Sequence, residues 1–192
     1  LVSFFFVTAV GILGAVALWS SKSLAEILDP YLVMLNSLPK SALAPMLIVW
    51  MGSHVHTIVA ASVSVAVFGS ILTLHNGFMS MDPDQARLIR SLGGGKREIL
   101  FKVLLPGSVP LIISNMKVNV GLCLVGVIIG EFLAARLGLG YLIIYGSQVF
   151  KLDLVLMSIV ILCILAALMY QGIALAERRA KDKRSAPAAP VL

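Results

Sequence analysis

Long apolar runs alternate with short polar connections along the chain, and this pattern predicts an all-α integral membrane protein. A helix of about 20 apolar residues is needed to cross a bilayer, and five runs are long and apolar enough. The predicted spans are residues 2–20, 31–51, 55–74, 107–130 and 152–175. Each is expected to be helical, because a segment surrounded by lipid must satisfy its backbone hydrogen bonds internally.

The second run is the least regular of the five. Pro39 and Pro45 interrupt it, and Lys40 follows the first proline. A proline inside a helix removes one backbone hydrogen bond and clashes with the preceding turn. We therefore expect residues 24–38 to form a helix at the membrane surface and residues 41–51 to form the better part of the span.

Composition supports the membrane assignment, and the basic residues give the chain an orientation. Of the 192 residues, 59% are hydrophobic and 12% charged, against about 25% charged in soluble domains. Most of the 15 lysines and arginines fall between the first two runs, between the third and fourth, and after the fifth. The positive-inside rule places these connections in the cytoplasm. This topology explains the net charge of +6 better than a nucleic-acid surface does.

The two ends of the chain carry further expectations. Five spans with a cytoplasmic C-terminus put Leu1 outside the cytoplasm, and the chain starts with Leu inside an apolar run. We therefore expect residues 1–180 to be a membrane domain that lacks at least one N-terminal span. Residues 181–192 end in a small, proline-rich stretch and are expected to form a disordered tail.

The connection at 82–106 is too long and too patterned for a simple turn. Its opening DPD at 82–84 predicts a helix N-terminus, because Asp caps helices and proline favours the first helical position. The glycine triplet at 93–95 predicts the end of that helix, and a second helix is expected from Lys96. Apolar positions at helical spacing are expected to form one stripe on each helix: Ala86, Leu88, Ile89 and Leu92 on the first, and Ile99, Leu100, Val103 and Leu104 on the second.

This helix–turn–helix would lie against the cytoplasmic face of the membrane and offer a surface to a partner. A solvated connection between two spans is the alternative that the pattern alone leaves open. The triplet before Lys96 does not form a Walker A loop, which needs an earlier glycine and a following Ser or Thr. Arg90 and Arg97 occupy those two positions.

The 82–106 segment resembles the cytoplasmic loop of permease subunits of binding-protein-dependent ABC importers. Their signature is E-A-A, three residues, Gly, nine residues and Ile-x-Leu-Pro. With Gly93 as the signature glycine, Val103 takes the Ile position and Leu105-Pro106 the Leu-Pro position. The tripeptide RLI at 87–89 replaces E-A-A, so no salt bridge of that acidic residue is carried over. The stretches 28–52 and 130–143 are similar to the nitrate, sulfonate and taurine branch.

The resemblance implies a fold, a role and a set of partners. Residues 1–180 would be a permease domain of a prokaryotic inner-membrane protein whose complete form has six spans. Cytoplasmic ATPase subunits would bind ATP and Mg and grip the loop, an extracytoplasmic protein would deliver solute, and a second permease copy would complete the pathway. The residues implied in coupling are Ala86, Gly93, Gly94, Lys96, Ile99, Leu100, Val103, Leu105 and Pro106.

Polar groups inside the predicted spans are candidates for the transport pathway. Lys117, with Asn115 and Asn119, lies within the fourth run, where a charge is costly unless it faces a cavity or a partner. A lysine that extends to the headgroups is the alternative reading. Glu131 is expected to pair with Arg136 near the other end of the run.

The chain offers no catalytic, metal or nucleotide site that its residues would define. The pair His54 and His56 lacks further ligands nearby in the sequence. An ATP-independent secondary transporter or channel is the alternative function, although the central spans lack the carboxylates that would couple ions. The transported solute stays open among taurine, alkanesulfonates, nitrate and heterocyclic vitamin precursors, as does pairing with itself or with a sister subunit.

Overall fold

The structure, a computed structural model, describes residues 1–185, and the side chains of residues 1–178. Within this range the chain forms helices α1 Val2–Ser20, α2 Lys22–Ser37, α3 Lys40–Met51, α4 Val55–Met79, α5 Pro83–Ser91, α6 Lys96–Ile99, α7 Leu105–Gly107, α8 Val109–Ala134, α9 Leu139–Gln148 and α10 Leu152–Ser185. A π-helical turn, Leu100–Leu104, joins α6 to α7. The expected tail at 181–192 starts inside α10, and residues 186–192 lie outside the described residues.

Four single helices are long and apolar enough to cross a membrane: α1, α4, α8 and the Leu152–Arg178 part of α10. Helices α2 and α3 meet the same test only as a pair, and they are bent by 93° at the break between them. The all-α membrane class is therefore confirmed, with four or five spans depending on how the bent pair is counted. The break falls at Ser37–Lys40, where the sequence predicted it.

Helix α4 is the centre of the packing, with α1 on one side and α8 on the other. Leu74 and Phe78 of α4 are buried together with Ala15 of α1 and Leu104 of the π-helical turn. A second cluster, nearer the N-terminus of α4, joins Val67 and Ile71 to α1 and α8. The outer faces of α1 and α10 are apolar and exposed, as expected for surfaces that meet lipid or other membrane helices.

Two glycines bring α4 and α8 into direct backbone contact. A Cβ atom at Gly126 would lie 2.5 Å from the Cα of Ser62, and one at Gly130 would lie 3.0 Å from the Cα of Ile58. Small residues four positions apart allow such close approach between membrane helices. The approach lets the Ser62 hydroxyl donate to the carbonyl oxygen of Cys123 on α8, at 2.9 Å.

Candidate functional site

The first loop helix, α5, begins as the sequence predicted. Asp82 lies at its N-cap, and the Asp82 Oδ1 accepts a hydrogen bond from the backbone N–H of Asp84 at 2.9 Å. Pro83 takes the first helical position, where its missing N–H costs nothing. One turn further, Arg87 donates from Nη1 to Asp84 Oδ1 at 2.9 Å in an exposed ion pair, which contributes little to stability.

The glycine triplet ends α5 through a Schellman motif. Gly93 adopts a positive φ of 81°, and its N–H donates to the Arg90 carbonyl at 3.0 Å. The N–H of Gly94 donates to the Ile89 carbonyl at 2.9 Å, which completes the pair of bonds that defines the motif. Gly93 is required for its backbone angle. Gly94 is required for space, because a Cβ there would lie 2.9 Å from the Ile89 carbonyl oxygen.

The second loop helix, α6, is capped by its own glutamate. The backbone N–H of Gly95 donates to Glu98 Oε2 at 2.9 Å. Hydrogen bonds from the backbone N–H groups of Glu98 itself and of Gly95 lower the pKa of the Glu98 carboxyl, and the nearby charges of Lys102 and Arg97 add to the effect. The cap therefore depends on an ionised Glu98.

The Glu98 cap makes the start of α6 sensitive to acid. Its folded-state pKa lies below the ordinary value of about 4.3, so the stabilisation is fully present above that value and is lost as pH falls through the lower pKa. Hydrogen exchange at Gly95, corrected for its intrinsic pH dependence, should lose protection only in this acid range. In Glu98→Gln the amide still accepts but does not titrate, so the acid step should disappear. A step that persists in the variant would contradict the assignment.

Burial divides the apolar residues of the loop into an anchoring set and an exposed set. Ile99 and Leu104 are buried at 3% and 2% exposure, and Leu104 packs against α1 and α4. Leu88 of α5 and Leu92 at its C-cap are 61% and 77% exposed, and Phe101 is 66% exposed. The single stripe predicted for α5 is therefore wrong, since Leu88 and Leu92 face outward while its other two members are half-buried.

The residues implied in coupling are spread over α5, the glycine turn, α6, the π-helical turn and α7. Three of them lie in the C-terminal half of the loop, in the π-helical turn and α7 that lead into α8. These three, Val103, Leu105 and Pro106, are half-buried. Lys96 reaches back to α1, where its Nζ donates to the Ser20 carbonyl oxygen at 3.5 Å. Neither the π-helical turn nor the Lys96 contact has a signal in the sequence, because both depend on how the loop packs against the spans.

The three polar residues predicted for the pathway separate onto two faces of α8. Asn115 and Asn119 are buried against α4, and their Nδ2 groups donate to the Ser70 hydroxyl at 2.7 Å and 3.1 Å. Lys117 faces α10 instead, where its Nζ lies 2.6 Å from Glu177 Oε2 and 5.4 Å from the ring centroid of Tyr170. The pathway role of Lys117 stays a prediction, now for a lysine that carries a counter-ion.

The Lys117–Glu177 pair should stabilise the contact of α8 with α10. Both side chains are about one-fifth exposed, 22% and 19%, so solvent screening is incomplete. Lys117→Met is expected to lower the Tm in detergent by a few degrees, and Lys117→Met/Glu177→Gln by less than the sum of the single changes. Thermal unfolding of the four proteins measures this coupling. Strictly additive shifts would show that the pair adds nothing.

Lys40 is a second lysine within the predicted membrane spans, and no role for it was predicted from the sequence. It lies at the break between α2 and α3, where its Nζ donates to the Leu35 carbonyl at the end of α2 and lies 5.2 Å from the ring centroid of Phe68. Phe68 is near the middle of α4, so the break lies beside the middle of that helix, although Ser37, Leu38 and Pro39 are exposed. Helix α2 has no buried residue, and the position of residues 24–38 at the membrane surface stays a prediction. Within residues 1–178, no carboxylate lies within 4 Å of Lys40.

Glu131 caps a helix and does not pair with Arg136 as expected. Its Oε2 accepts a hydrogen bond from the N–H of Gly140 in the first turn of α9, at 2.7 Å. A Cβ at Gly138 would lie 2.6 Å from the Glu131 Cδ atom, and Gly138 has a positive φ of 122°. The glycines at 138 and 140 thus make room for the carboxylate, which also suits the positive end of the helix dipole.

The two loop histidines stack on each other. The ring centroids of His54 and His56 are 5.6 Å apart with an interplanar angle of 12°. In the part of the chain that the structure describes, no group of three or more His, Cys, Asp or Glu side chains could hold a metal ion.

Comparison with known proteins identifies a protein family that this chain matches. Residues 8–182 match the family described as the binding-protein-dependent transport system inner membrane component. The chain is 27% identical, over 85% of its length and 66% of the relative's, to a probable ABC transporter permease protein of Haemophilus influenzae. It is also 27% identical to the taurine transport system permease protein TauC of Escherichia coli, over 88% of this chain and 62% of that protein.

A third relative is the putative aliphatic sulfonates transport permease protein SsuC of Bacillus subtilis. The identity is 26%, over 83% of this chain and 58% of that protein. Across these three relatives, the chain spans between 58% and 66% of the relative's length.

Proposed function

The chain belongs to the family of binding-protein-dependent transport system inner membrane components, and we propose that it is the membrane-spanning permease subunit of an ABC importer. The observation that carries this proposal is the 82–106 loop. Its base is buried against α1 and α4, while Leu88 and Leu92 are exposed at its tip. An anchored helix with an exposed apolar face is a surface that a partner can grip.

The loop is proposed as the coupling element to a cytoplasmic ATPase subunit. Leu88 and Leu92 would enter an apolar groove of that partner. Gly93 and Gly94 form the turn between α5 and α6 and so fix the direction of α5 relative to the rest of the loop. The helical path continues from α6 through the π-helical turn and α7 toward α8. Movement of the ATPase subunits would therefore reach α8, and through its glycine contacts also α4.

The proposed assembly supplies what this chain does not carry itself. Two ATPase subunits would bind ATP and Mg, a solute-binding protein would deliver the solute from outside, and a second copy of this chain would complete the pathway. The exposed apolar faces of α1 and α10 give the lipid and the second copy surfaces to pack on. In the proposed topology, the basic 82–106 loop and the C-terminus are cytoplasmic.

A small organic anion is the proposed solute. Two of the similar proteins are named for taurine and for aliphatic sulfonates, and each of these compounds carries an anionic sulfonate group. Two lysines at the level of the α4 centre favour an anion here as well. Lys117 is partly neutralised by Glu177, whereas Lys40 has no carboxylate within 4 Å among residues 1–178. Lys40 is therefore the stronger candidate for contact with the solute, beside the predicted group of Lys117, Asn115 and Asn119.

Reconstituted transport tests the proposal. The full-length permease, its ATPase subunit and its binding protein would be placed in proteoliposomes, and uptake of radiolabelled taurine and ethanesulfonate measured with and without internal ATP. Uptake that needs both ATP and the binding protein is expected. Uptake driven by an ion gradient without ATP would favour the secondary transporter instead. ATP-dependent uptake only of solutes that lack an anionic group would keep the importer and reject the anion.

A further inference from the structure

A cavity of about 440 Å³ lies where the 82–106 loop meets the ends of the spans. Its walls come from the last turn of α1, the start of α2, the end of α4 and both loop helices. Apolar side chains such as Leu18 and Phe78 form its inner part. The volume falls within the range of about 300–1,000 Å³ that is usual for sites of small ligands.

The cavity carries an excess of positive charge. Lys22, Arg90 and Lys96 line it, and Asp82 is the acidic side chain among its described lining residues. One oxygen of Asp82 already accepts the N–H of Asp84 at the helix cap. In the described part of the chain no carboxylate lies within 4 Å of Arg90 or Lys96, while Lys22 has an exposed contact of 3.7 Å with Glu26. The charges of the lining side chains therefore favour an anion over a cation.

A buried histidine in the wall is not satisfied by the protein. His75 lines the cavity and is 8% exposed. Its Nδ1 is buried without a hydrogen-bond partner among the described residues. A buried polar atom without a partner costs free energy, and here it lies in the wall of a cationic cavity. Because Nδ1 is itself inaccessible to solvent, the imidazole is only part of the wall, and the charges and the volume are the features that point to a ligand.

We propose that this cavity binds a phosphate-bearing anion, and that the phosphate is the headgroup of an anionic phospholipid. Trp19 at the end of α1 and Lys22 at the start of α2 are residue types that mark the membrane interface, so the cavity lies at headgroup level. Basic pockets between membrane helices commonly take such headgroups. Arg90 and Lys96 would bind the phosphate, and the walls at Leu18 and Phe78 would contact the glycerol.

Lipid in this cavity would connect the loop to the spans. Arg90 and Lys96 belong to the two loop helices, whereas Trp19 belongs to α1 and Lys22 to α2. One phosphate bound by both groups would fix the position of the loop relative to α1. The proposal requires that α1 and α4 cross the membrane, and it does not depend on the importer assignment.

Native mass spectrometry of the full-length protein in detergent tests the site. The protein would be titrated with dioleoyl phosphatidylglycerol and, in parallel, with dioleoyl phosphatidylcholine. Preferential retention of phosphatidylglycerol is expected. Each lost basic charge should weaken its binding about five-fold, so Lys22→Gln/Arg90→Gln should weaken it roughly 25-fold, while Arg90→Lys should bind nearly as the unmodified protein does.

Arg87→Gln is the matched control. Arg87 is on the same helix as Arg90, is exposed, pairs with Asp84 and is not among the described lining residues. Its loss should leave phosphatidylglycerol binding within two-fold. Equal retention of the two lipids, or equal weakening in the control, would overturn the site. If inorganic phosphate binds at millimolar concentration and displaces phosphatidylglycerol, the ligand is free phosphate, and the proposal of a lipid headgroup is rejected.

Discussion

Replacing the exposed leucines of α5 by glutamate should abolish recruitment of the ATPase subunit while leaving the permease folded. In Leu88→Glu/Leu92→Glu, two carboxylates would have to enter the apolar groove that we propose for these side chains, and burying an unpaired charge is costly. Loss of about 2 kcal/mol at one such anchor weakens binding roughly 30-fold. Co-purification of the tagged permease with its ATPase subunit, followed by ATP hydrolysis of the complex, measures the effect.

The control for this experiment is Gln85→Glu, which adds one negative charge to an exposed position of the same helix. It removes no apolar side chain and should leave co-purification unchanged. Because Leu88 and Leu92 are exposed, the double variant should keep the Tm of the permease. Unchanged recruitment in the double variant would reject α5 as the coupling helix. By contrast, Leu100 is half-buried against the core, so a charge there would unfold the loop and leave the question open.

Gly126→Ala should cause the largest loss of stability of any single methyl addition in α8. The added Cβ would lie 2.5 Å from the Cα of Ser62 and 3.1 Å from its carbonyl oxygen. These are backbone atoms of a packed helix, so neither can rotate away and the two helices must separate. Overpacking costs about 1–3 kcal/mol in well-packed cores, and the separation would also break the hydrogen bond from Ser62 to Cys123. A lower Tm and a lower yield of folded protein in detergent are expected.

Gly121→Ala provides the same chemical change on the same helix without the contact. Nothing lies within 4 Å of the position that its Cβ would take. The Tm should stay constant or rise slightly, since alanine is the better helix former. Equal destabilisation by the two substitutions would indicate a general intolerance of α8 to alanine and would contradict the packing argument.

The local features of the loop followed from the sequence because they depend on neighbouring residues. The cap at Asp82 and the turn at Gly93 use bonds that span two to five residues, and the residue types alone predict them. The sequence did not predict that Leu88 is exposed while Ile89 is half-buried. Helical periodicity identifies apolar positions, but it cannot tell which of two apolar pairs faces the protein when both are present.

The long-range features could not be predicted from the pattern. Lys117 and Glu177 are 60 residues apart in the chain, and only the approach of α10 to α8 brings them together. Glu131 has an arginine five residues away, yet it accepts from a backbone N–H that becomes available because glycines clear the space. The position of Lys40 likewise depends on the 93° bend between α2 and α3. The two prolines predict where this segment bends, but they do not predict the angle.

The short length of α3 has a consequence for how the chain enters the membrane. Its 12 residues extend only about 18 Å along the helix, less than the hydrocarbon thickness of about 30 Å. At the break with α2, backbone groups that lipid cannot satisfy would be exposed if the pair stood alone. In the folded chain Lys40 bonds the end of α2, and Phe68 of α4 lies beside this point. The α2–α3 pair should therefore leave the insertion machinery together with α4, which makes biogenesis of this region a concerted step and not a sequence of independent spans.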